Sequence, residues 1–192
     1  MNAKSCIALV LAGGFGRRFG RDKRAARFSD EQTLIAASVK HIDSIFSQRR
    51  VVLRRGDVPA NLGLSRETEI IYSDQSERGL GASLAVGVAE LQTSDADAVA
   101  IFLGDMPWIS SHTQKMLVQQ AETRKIVIPC HQGKKGHPVV FGREFWNELQ
   151  QLDGDQGGKA IIQRYQQCCV YVDVNDDGIL RDVDHEEDLL RG

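Results

Sequence analysis

A segment rich in glycine and cationic residues carries the strongest chemical pattern of the sequence, and it reads Leu11-Ala12-Gly13-Gly14-Phe15-Gly16-Arg17-Arg18-Phe19-Gly20-Arg21-Asp22-Lys23. It follows a short apolar run, and its glycines allow several backbone N–H groups to turn toward one anion. Arg18 adds a planar guanidinium and Lys23 adds a compact ammonium, and both groups suit phosphate oxygens. The segment therefore predicts a polyphosphate-binding loop.

Two well-known phosphate-binding motifs do not fit the spacing of this loop. A P-loop has its lysine directly after a glycine, whereas Lys23 follows Asp22. A dinucleotide-binding loop has the spacing G-x-G-x-x-G, and here the last glycine, Gly20, comes one position late. Arg54 and Arg55 would nevertheless suit a 2′-phosphate, so an NADP-binding loop stays open, as does a plain glycine-rich turn.

Acidic residues that could bind a metal ion occur at two distant places in the sequence. Asp105 comes two residues after the apolar run Ala98–Leu103, and Asp182 and Asp184 alternate with a valine near the C-terminus. In an extended segment such alternation places two carboxylates on one side. Carboxylates at these places could hold Mg²⁺, which in turn would bridge phosphate oxygens. The alternative is structural, with Asp105 in a turn and Asp184 capping a helix over His185–Arg191.

Three further glycine-containing segments carry weaker signals, namely Gly79–Leu84, Gly133–Pro138 and Gly154–Lys159. Each of them could be only a turn, because glycine and proline are the usual residues of turns. His137, within the second segment, is more often structural than catalytic when it stands alone. These segments support a function only in combination with the loop and the acids.

The elements that would position these residues alternate between strands and helices. Short apolar runs, several of them β-branched, predict strands at Ile7–Leu11, Val51–Leu53, Glu69–Tyr72, Ala98–Leu103, Ile126–Ile128, Val139–Phe141 and Val170–Val174. Apolar residues at helical spacing predict helices over Thr33–Phe46, over Ala82–Leu91, and from Ser110 or Ser111 to about Ala121. This alternation predicts an α/β fold with a mostly parallel central sheet covered on both faces, a three-layer sandwich.

The arrangement of this sheet indicates where ligands would bind. In such folds ligands collect outside the C-terminal ends of the strands, which here are followed by residues Ala12–Lys23, Ser73–Gly81 and Gly104–Pro107. After Lys125 the pattern changes to short strands joined by glycine-rich turns, which predicts a small appended hairpin region. We therefore expect residues 1–192 to form a single domain.

Composition excludes several classes of function. Of the 192 residues, 24 are Lys or Arg and 26 are Asp or Glu, so the chain lacks the basic excess typical of nucleic-acid-binding proteins. The four cysteines (Cys6, Cys130, Cys168 and Cys169) show no zinc-binding spacing. Since no segment approaches the roughly 20 apolar residues needed to span a bilayer, we expect a cytoplasmic protein that binds neither nucleic acid nor membrane.

Taken together and in this order, the motifs resemble the molybdenum-cofactor nucleotidyltransferases, that is, the MobA-like and MocA-like NTP transferases. The resemblance runs from Leu11 to Leu189. The first loop is similar to the family signature L-A-[AG]-G-x-x-x-R-[MF]-G-x-x-K, and Gly104–Pro107 is similar to the family's metal-binding acid motif. The segments that match the cytidylyl branch are Gly79–Leu84, Gly136–Pro138 and Asp182–Asp184.

The resemblance implies a Rossmann-like fold and a magnesium-dependent transfer of a nucleotide to the terminal phosphate of molybdopterin or Mo-molybdopterin. Arg18, Lys23 and Asp105 would be the catalytic residues. The nucleotide would contact Leu11, Ala12, Gly13, Gly14, Arg18, Lys23, Gly79, Gly81 and Ser83. The Mg²⁺ ion would be held by Asp105 and Asp184, and the acceptor would lie near His137 and Lys135. A transient contact with a molybdoenzyme or its chaperone is compatible with this activity.

The motifs disagree about the identity of the nucleotide. The cytidylyl-type segments favour CTP, whereas Ala12-Gly13-Gly14 with Asp22-Lys23 is closer to the guanylyl branch and favours GTP. The family's usual Thr-Pro after the last acid is replaced by His185-Glu186. A nucleotide-binding regulator of the same fold therefore stays open, as does a nucleotidyltransferase acting on another small phosphate.

Overall fold

One eight-stranded sheet organises the protein. The computed structural model describes residues 5–14, 19–29, 31–42 and 45–191. The strands are β1 (Cys6–Leu11), β2 (Arg49–Arg54), β3 (Glu69–Ser73), β4 (Ala98–Leu103), β5 (Ile126–His131), β6 (Lys134–Lys135), β7 (Val139–Gly142) and β8 (Cys169–Asp173). Their order is β3-β2-β1-β4-β7-β5-β6, and β8 also pairs with β5. The pairs among β1 to β4 and the β5–β8 pair are parallel, whereas β7 is antiparallel to both β4 and β5.

Helices cover both faces of this sheet. They are α1 (Leu34–Lys40), α2 (Leu80–Ala89), α3 (Ser111–Gln120), α4 (Trp146–Leu149) and α5 (Lys159–Arg164). Alternate residues of β1 enter two separate cores, because successive side chains of a strand point to opposite faces. Ala8 and Val10 pack on the α1 and α3 side, and Ile7 and Leu9 pack on the α2, α4 and α5 side. The predicted mostly parallel sheet between two helical layers is therefore confirmed.

The boundaries of several elements differ from the sequence prediction. Helix α1 begins after Thr33, whose side chain accepts the Ala36 N–H, and it ends at Lys40, six residues before the predicted end. Helix α2 begins two residues earlier than predicted, at Leu80. The segment after Lys125 does contain a hairpin, β5–β6, but its strands continue the main sheet. Within the part of the chain that the structure describes, no helix is long and apolar enough to cross a membrane.

A small third core joins two regions that are far apart in sequence. Phe19 and Ala26, from the glycine-rich loop and its continuation, pack with Leu34 of α1 and with Val183 near the C-terminus. Val183 is fully buried. This core therefore holds the acidic C-terminal segment against the loop.

Candidate active site

An ammonium group and two carboxylates meet where β1 and β4 end. Lys23 Nζ lies 2.6 Å from Asp105 Oδ2 and 3.6 Å from Asp184 Oδ1, and it also donates a hydrogen bond to the Val183 carbonyl oxygen at 2.9 Å. The Lys23 and Asp105 side chains are largely buried, at 14% and 22% exposed, and that of Asp184 is 38% exposed. The structure thus brings together three of the predicted site residues from three distant parts of the sequence.

Backbone contacts fix the positions of these three side chains. Gly104 donates its N–H to the Leu11 carbonyl oxygen at 3.0 Å, which keeps the ends of β1 and β4 together and places Asp105 beside the loop. The Val183 N–H donates to the Asp105 carbonyl oxygen at 3.0 Å, which brings the C-terminal segment to the same point. Because Val183 is buried in the third core, its neighbours Asp182 and Asp184 lie on the opposite side of the extended segment.

A third carboxylate, that of Asp182, adds to the negative charge of the site. Burial raises the pKa of Asp182, and the nearby carboxylates of Asp105 and Asp184 raise it further. One lysine therefore faces three acids in close proximity. This local excess of negative charge would repel a triphosphate unless a cation joined the site.

The residues present fit a hard divalent cation. The Oδ1 atom of Asp105 is buried and has no hydrogen-bond partner among the described residues, so one lone-pair site of this carboxylate is unused. Carboxylate oxygens are the ligands that Mg²⁺ prefers, usually one or two of them together with substrate phosphates. No group of three or more His, Cys, Asp and Glu side chains within the described ranges is arranged to hold a metal ion by itself. The fit is therefore to an ion that the protein and a phosphate ligand would share.

A pocket opens next to these charges, between the loop and α2. Its volume is about 210 Å³, and it is lined by Leu11, Ala12, Gly14, Lys23, Arg24, Leu80, Leu103, Gly104 and Asp105. Gly13 lies against buried hydroxyl groups, since a Cβ atom there would lie 2.6 Å from Ser76 Oγ and 3.1 Å from Ser83 Oγ. Four of the predicted nucleotide-binding residues, Leu11, Ala12, Gly14 and Lys23, therefore line this pocket. Arg18, predicted to be catalytic, lies outside the described residues.

Gly79 and Gly81 allow two parts of the backbone, the start of α2 and the loop around Gly154, to approach each other closely. Gly79 has a φ of +117°, and a Cβ atom there would lie 2.3 Å from Asp155 Oδ1. Gly81 donates its N–H to the Gly154 carbonyl oxygen at 2.7 Å, so this N–H is already used within the protein. The two predicted nucleotide-binding glycines thus allow the loop around Gly154 to pack on the start of α2, and Leu80 between them faces the pocket.

A second pocket adjoins the first and shares Leu11, Leu80 and Leu103 with it. It has a volume of about 160 Å³, its lining is mainly apolar, and His137, Gln156 and Lys159 contribute the polar side chains. His137 Nδ1 is buried and has no hydrogen-bond partner among the described residues. Burial lowers the pKa of His137, although a hydrogen bond with the Ile101 backbone and the nearby Asp105 and Asp182 act in the opposite direction. The imidazole is therefore held in its neutral form.

The structure places Lys135 and the C-terminal helix in surroundings that the sequence did not indicate. Lys135 was expected near the acceptor, but it lines neither pocket, and its exposed ammonium lies 3.1 Å from the Tyr171 hydroxyl. Residues Glu186–Arg191 form a 3-10 helix, and at its start the Asp188 carboxylate accepts the N–H groups of Asp184 and His185. Both differences arise because the side chains have nearer partners that the sequence pattern does not reveal.

Several residues of the site were not singled out by the sequence. Arg24 and Asp57 form an ion pair beside the first pocket, and Gln156 and Lys159, which line the second, were named only as part of the weak segment Gly154–Lys159. Arg24 directly follows the glycine-rich loop, but nothing in the sequence linked it to Asp57. Arg54, considered above for an NADP 2′-phosphate, has Asp22 as a partner at 2.9 Å.

Comparisons with known proteins concern the family and the fold. A family model described as the MobA-like NTP transferase domain matches residues 8–168. The purine catabolism protein PucB of Bacillus subtilis is 23% identical over 202 residues, which cover 100% of this chain and 98% of the relative. A "Probable molybdenum cofactor guanylyltransferase" of Methanosarcina acetivorans is 23% identical over 195 residues, covering 95% and 83%. The solved structure of Rv0371C of Mycobacterium tuberculosis H37Rv, a complex with manganese, shares the fold with a TM-score of 0.76, 22% identity, and coverage of 98% and 97%.

Proposed function

This chain belongs to the MobA-like NTP transferase family and is a nucleotidyltransferase, and we propose that it moves CMP from CTP to the terminal phosphate of molybdopterin or Mo-molybdopterin. One observation carries the proposal. The Lys23, Asp105 and Asp184 cluster lies beside the pocket of the glycine-rich loop, and a second pocket with a neutral histidine adjoins it. A triphosphate and an acceptor could therefore meet at the cluster.

The reaction needs little from the protein beyond positioning and neutralisation of charge. An oxygen of the acceptor phosphate attacks the α-phosphorus, the new P–O bond forms, and the bond to the β-phosphate breaks with release of pyrophosphate. A phosphate monoester is already an anion near pH 7, because its second pKa is about 6. No residue therefore has to act as a strong base, and the rate enhancement would come from alignment and from electrostatic stabilisation.

The chain's own residues would divide this work. The backbone of the loop would bind the triphosphate, and Lys23 would neutralise part of its charge. Asp105 and Asp184 would hold Mg²⁺, which when bound would neutralise charge on the phosphate oxygens. The second pocket would receive the acceptor, with His137 as a neutral hydrogen-bonding group and Lys159 at its rim.

GTP is the second candidate nucleotide, favoured by Ala12-Gly13-Gly14 and by the relative named for guanylyl transfer. The two candidates are separated by measuring pyrophosphate release with molybdopterin, Mg²⁺ and each of the four NTPs. CTP as the best substrate supports the proposal, and GTP as the best substrate replaces it by the guanylyl reaction. Binding of an NTP with no pyrophosphate release for any of the four would instead identify a nucleotide-binding regulator.

A further inference from the structure

Arg24 is a buried cation whose hydrogen-bonding capacity is completely used. Its side chain is 5% exposed. The Asp22 carboxylate accepts from Nε and Nη2 at 2.9 and 2.6 Å, and the Asp57 carboxylate accepts from Nη1 and Nη2 at 2.5 and 2.9 Å. The Ala12 carbonyl oxygen accepts from Nη1 at 2.8 Å. A guanidinium has five N–H groups, so Arg24 has none left to donate to a phosphate oxygen.

The acceptors of Arg24 come from three places that frame the glycine-rich loop. Ala12 is the first residue after β1, Asp22 is near the end of the loop, and Asp57 lies in the turn after β2. Asp57 is itself fixed, because its carboxylate also accepts the Arg54 backbone N–H at 2.8 Å. Arg24 therefore ties both ends of the loop to the rigid end of the sheet.

In the sequence, Lys23 stands between Asp22 and Arg24, two members of this network. Lys23–Ala25 form a single 3-10 turn, capped by the Asp22 side chain, which accepts the Arg24 N–H. Lys23 reaches Asp105 and the Val183 carbonyl oxygen, whereas the neighbouring Arg24 reaches Asp57. Because adjacent residues of one turn share a backbone, the anchor at Arg24 restricts the backbone position from which Lys23 reaches Asp105.

We infer that Arg24, held by Asp57, is a positioning residue that keeps the loop and Lys23 in the geometry required by the triphosphate. It acts through the loop and makes no contact with the nucleotide's phosphates. Loop ends that are fixed before the ligand arrives lose less conformational entropy on binding, so the affinity is higher. The inference rests on the proposed function only for the identity of the ligand.

The test compares Arg24→Met, Arg24→Lys and Asp57→Asn with a matched control, Arg143→Met. Arg143 is also an internally bonded arginine, since it donates to the carbonyl oxygens of Gln92, Ser94 and Ala96 and lies over the Trp146 ring. It precedes α4, and it lines neither pocket of the site. The control therefore removes a comparable set of hydrogen bonds away from the loop.

Two measurements are made on each full-length variant below its unfolding temperature, and a third is made on the variants that turn over. Amide hydrogen exchange of residues 12–26, without any ligand, reports the order of the loop. Calorimetric titration with each NTP in the presence of Mg²⁺ reports nucleotide affinity, and the acceptor KM is measured where turnover is seen. Arg24→Met and Asp57→Asn should speed the exchange and raise the NTP Kd by about tenfold, with the acceptor KM within about twofold of wild type. In exchange rate and in NTP Kd, Arg24→Lys should lie between Arg24→Met and wild type. Arg143→Met should change neither the exchange rate nor the NTP Kd.

The inference and the proposed function can fail separately. Wild-type exchange rates for residues 12–26 in folded Arg24→Met and Asp57→Asn would overturn the inference, whatever the enzyme's activity. Equal increases in Arg143→Met would also overturn it, because they would show general destabilisation. If Arg24→Met does not fold, Arg24→Lys and Asp57→Asn decide the outcome by the same measurements. Failure of the wild-type protein to transfer any nucleotide would reject the proposed function and leave the exchange result valid.

Discussion

At the scale of single residues, Asp105 takes part in the site through both its side chain and its backbone. Its carboxylate pairs with Lys23 through Oδ2, and its Oδ1 atom is buried without a partner among the described residues. Its backbone carbonyl also receives the N–H of Val183. An isosteric change of this side chain therefore separates the effect of its charge from the effect of its shape.

Asp105→Asn should reduce the rate of pyrophosphate release by at least about a hundredfold, since it removes a charge that acts on the triphosphate and its metal ion. The change preserves the size of the side chain, and Lys23 keeps Asp184 as its partner. The melting temperature should remain close to that of wild type. Asp173→Asn, on the exposed side of β8, is the matched control and should retain full activity. Unchanged turnover of Asp105→Asn at saturating Mg²⁺ would reject the role of Asp105.

The Asp57 carboxylate predicts a pH dependence of stability. Burial alone would raise the pKa of Asp57, but the hydrogen bonds and charge of Arg24 outweigh burial and hold that pKa below its ordinary value. A lowered pKa in the folded state contributes stability above the unfolded pKa of about 3.9, and this contribution is lost as the pH falls through the folded pKa. The free energy of unfolding of wild type should therefore exceed that of Asp57→Asn near neutral pH.

Urea unfolding of both proteins across the acid range tests this dependence. The difference in unfolding free energy should narrow as the pH falls below about 4. Asp173→Asn again serves as the control, and its difference from wild type should stay small throughout. A difference between wild type and Asp57→Asn that stays constant or grows toward acid pH would contradict the assigned pKa direction.

At the scale of elements, the site depends on how β7 and the C-terminal segment meet. Gly136 precedes β7, and a Cβ atom there would lie 2.2 Å from the Ile179 carbonyl oxygen. The His137 N–H donates to the same oxygen at 2.9 Å, so this close approach places His137 in the second pocket. At the other end of β7, a Cβ atom on Gly142 would lie 2.2 Å from the Glu122 carbonyl oxygen. A Cβ atom would therefore clash equally at either glycine, but Gly136 lies next to His137 of the acceptor pocket and Gly142 lies at the other end of β7.

Gly136→Ala and Gly142→Ala should each destabilise the fold by about 1 to 3 kcal/mol, the usual range for an overpacked position. Only Gly136→Ala should also raise the acceptor KM several-fold, because it displaces His137, whereas the KM for the nucleotide should change little. Steady-state kinetics with both substrates measures the difference. An acceptor KM that rises equally in Gly142→Ala would show that His137 does not define the acceptor pocket.

At the scale of the whole molecule, the site couples parts of the chain that are distant in sequence. Lys23, Asp105 and Asp184 come from the loop after β1, the end of β4 and the C-terminal segment. A ligand that binds all three regions in the folded state should therefore stabilise the entire fold by mass action. At a ligand concentration of about 100 Kd this stabilisation is about 2.7 kcal/mol, or a shift of about 5 to 10 °C in the melting temperature of a chain of this length.

Thermal unfolding with Mg²⁺ and each NTP measures this shift. The cognate nucleotide should give the full shift, and the same nucleotide should give little shift with Asp105→Asn. Mg²⁺ alone should shift the melting temperature less than the two ligands together, since the described carboxylates fit an ion that phosphate oxygens help to hold. Equal shifts with wild type and Asp105→Asn would place the nucleotide elsewhere on the molecule.

The sequence by itself determined the architecture and the regions of the site. Periodicity is a local property, so the apolar runs located β1, β4 and the other main strands to within a few residues, and their alternation with helices predicted the parallel sheet. The rule that ligands bind at the C-terminal ends of such strands then indicated the loop after β1 and Asp105. The order of the motifs also indicated the family, and the match of residues 8–168 to the family model shows it.

The tertiary structure alone decided which side chains meet. The pairing of Arg24 with Asp57, the packing of Val183 against Phe19, and the approach of Gly136 to Ile179 each join residues more than 30 positions apart or on separate elements. The contact of Lys135 with Tyr171 on another strand was hidden from the sequence for the same reason, and a place for Lys135 near the acceptor stays a prediction. Such contacts depend on register and packing between elements, and no local pattern of residue types encodes them.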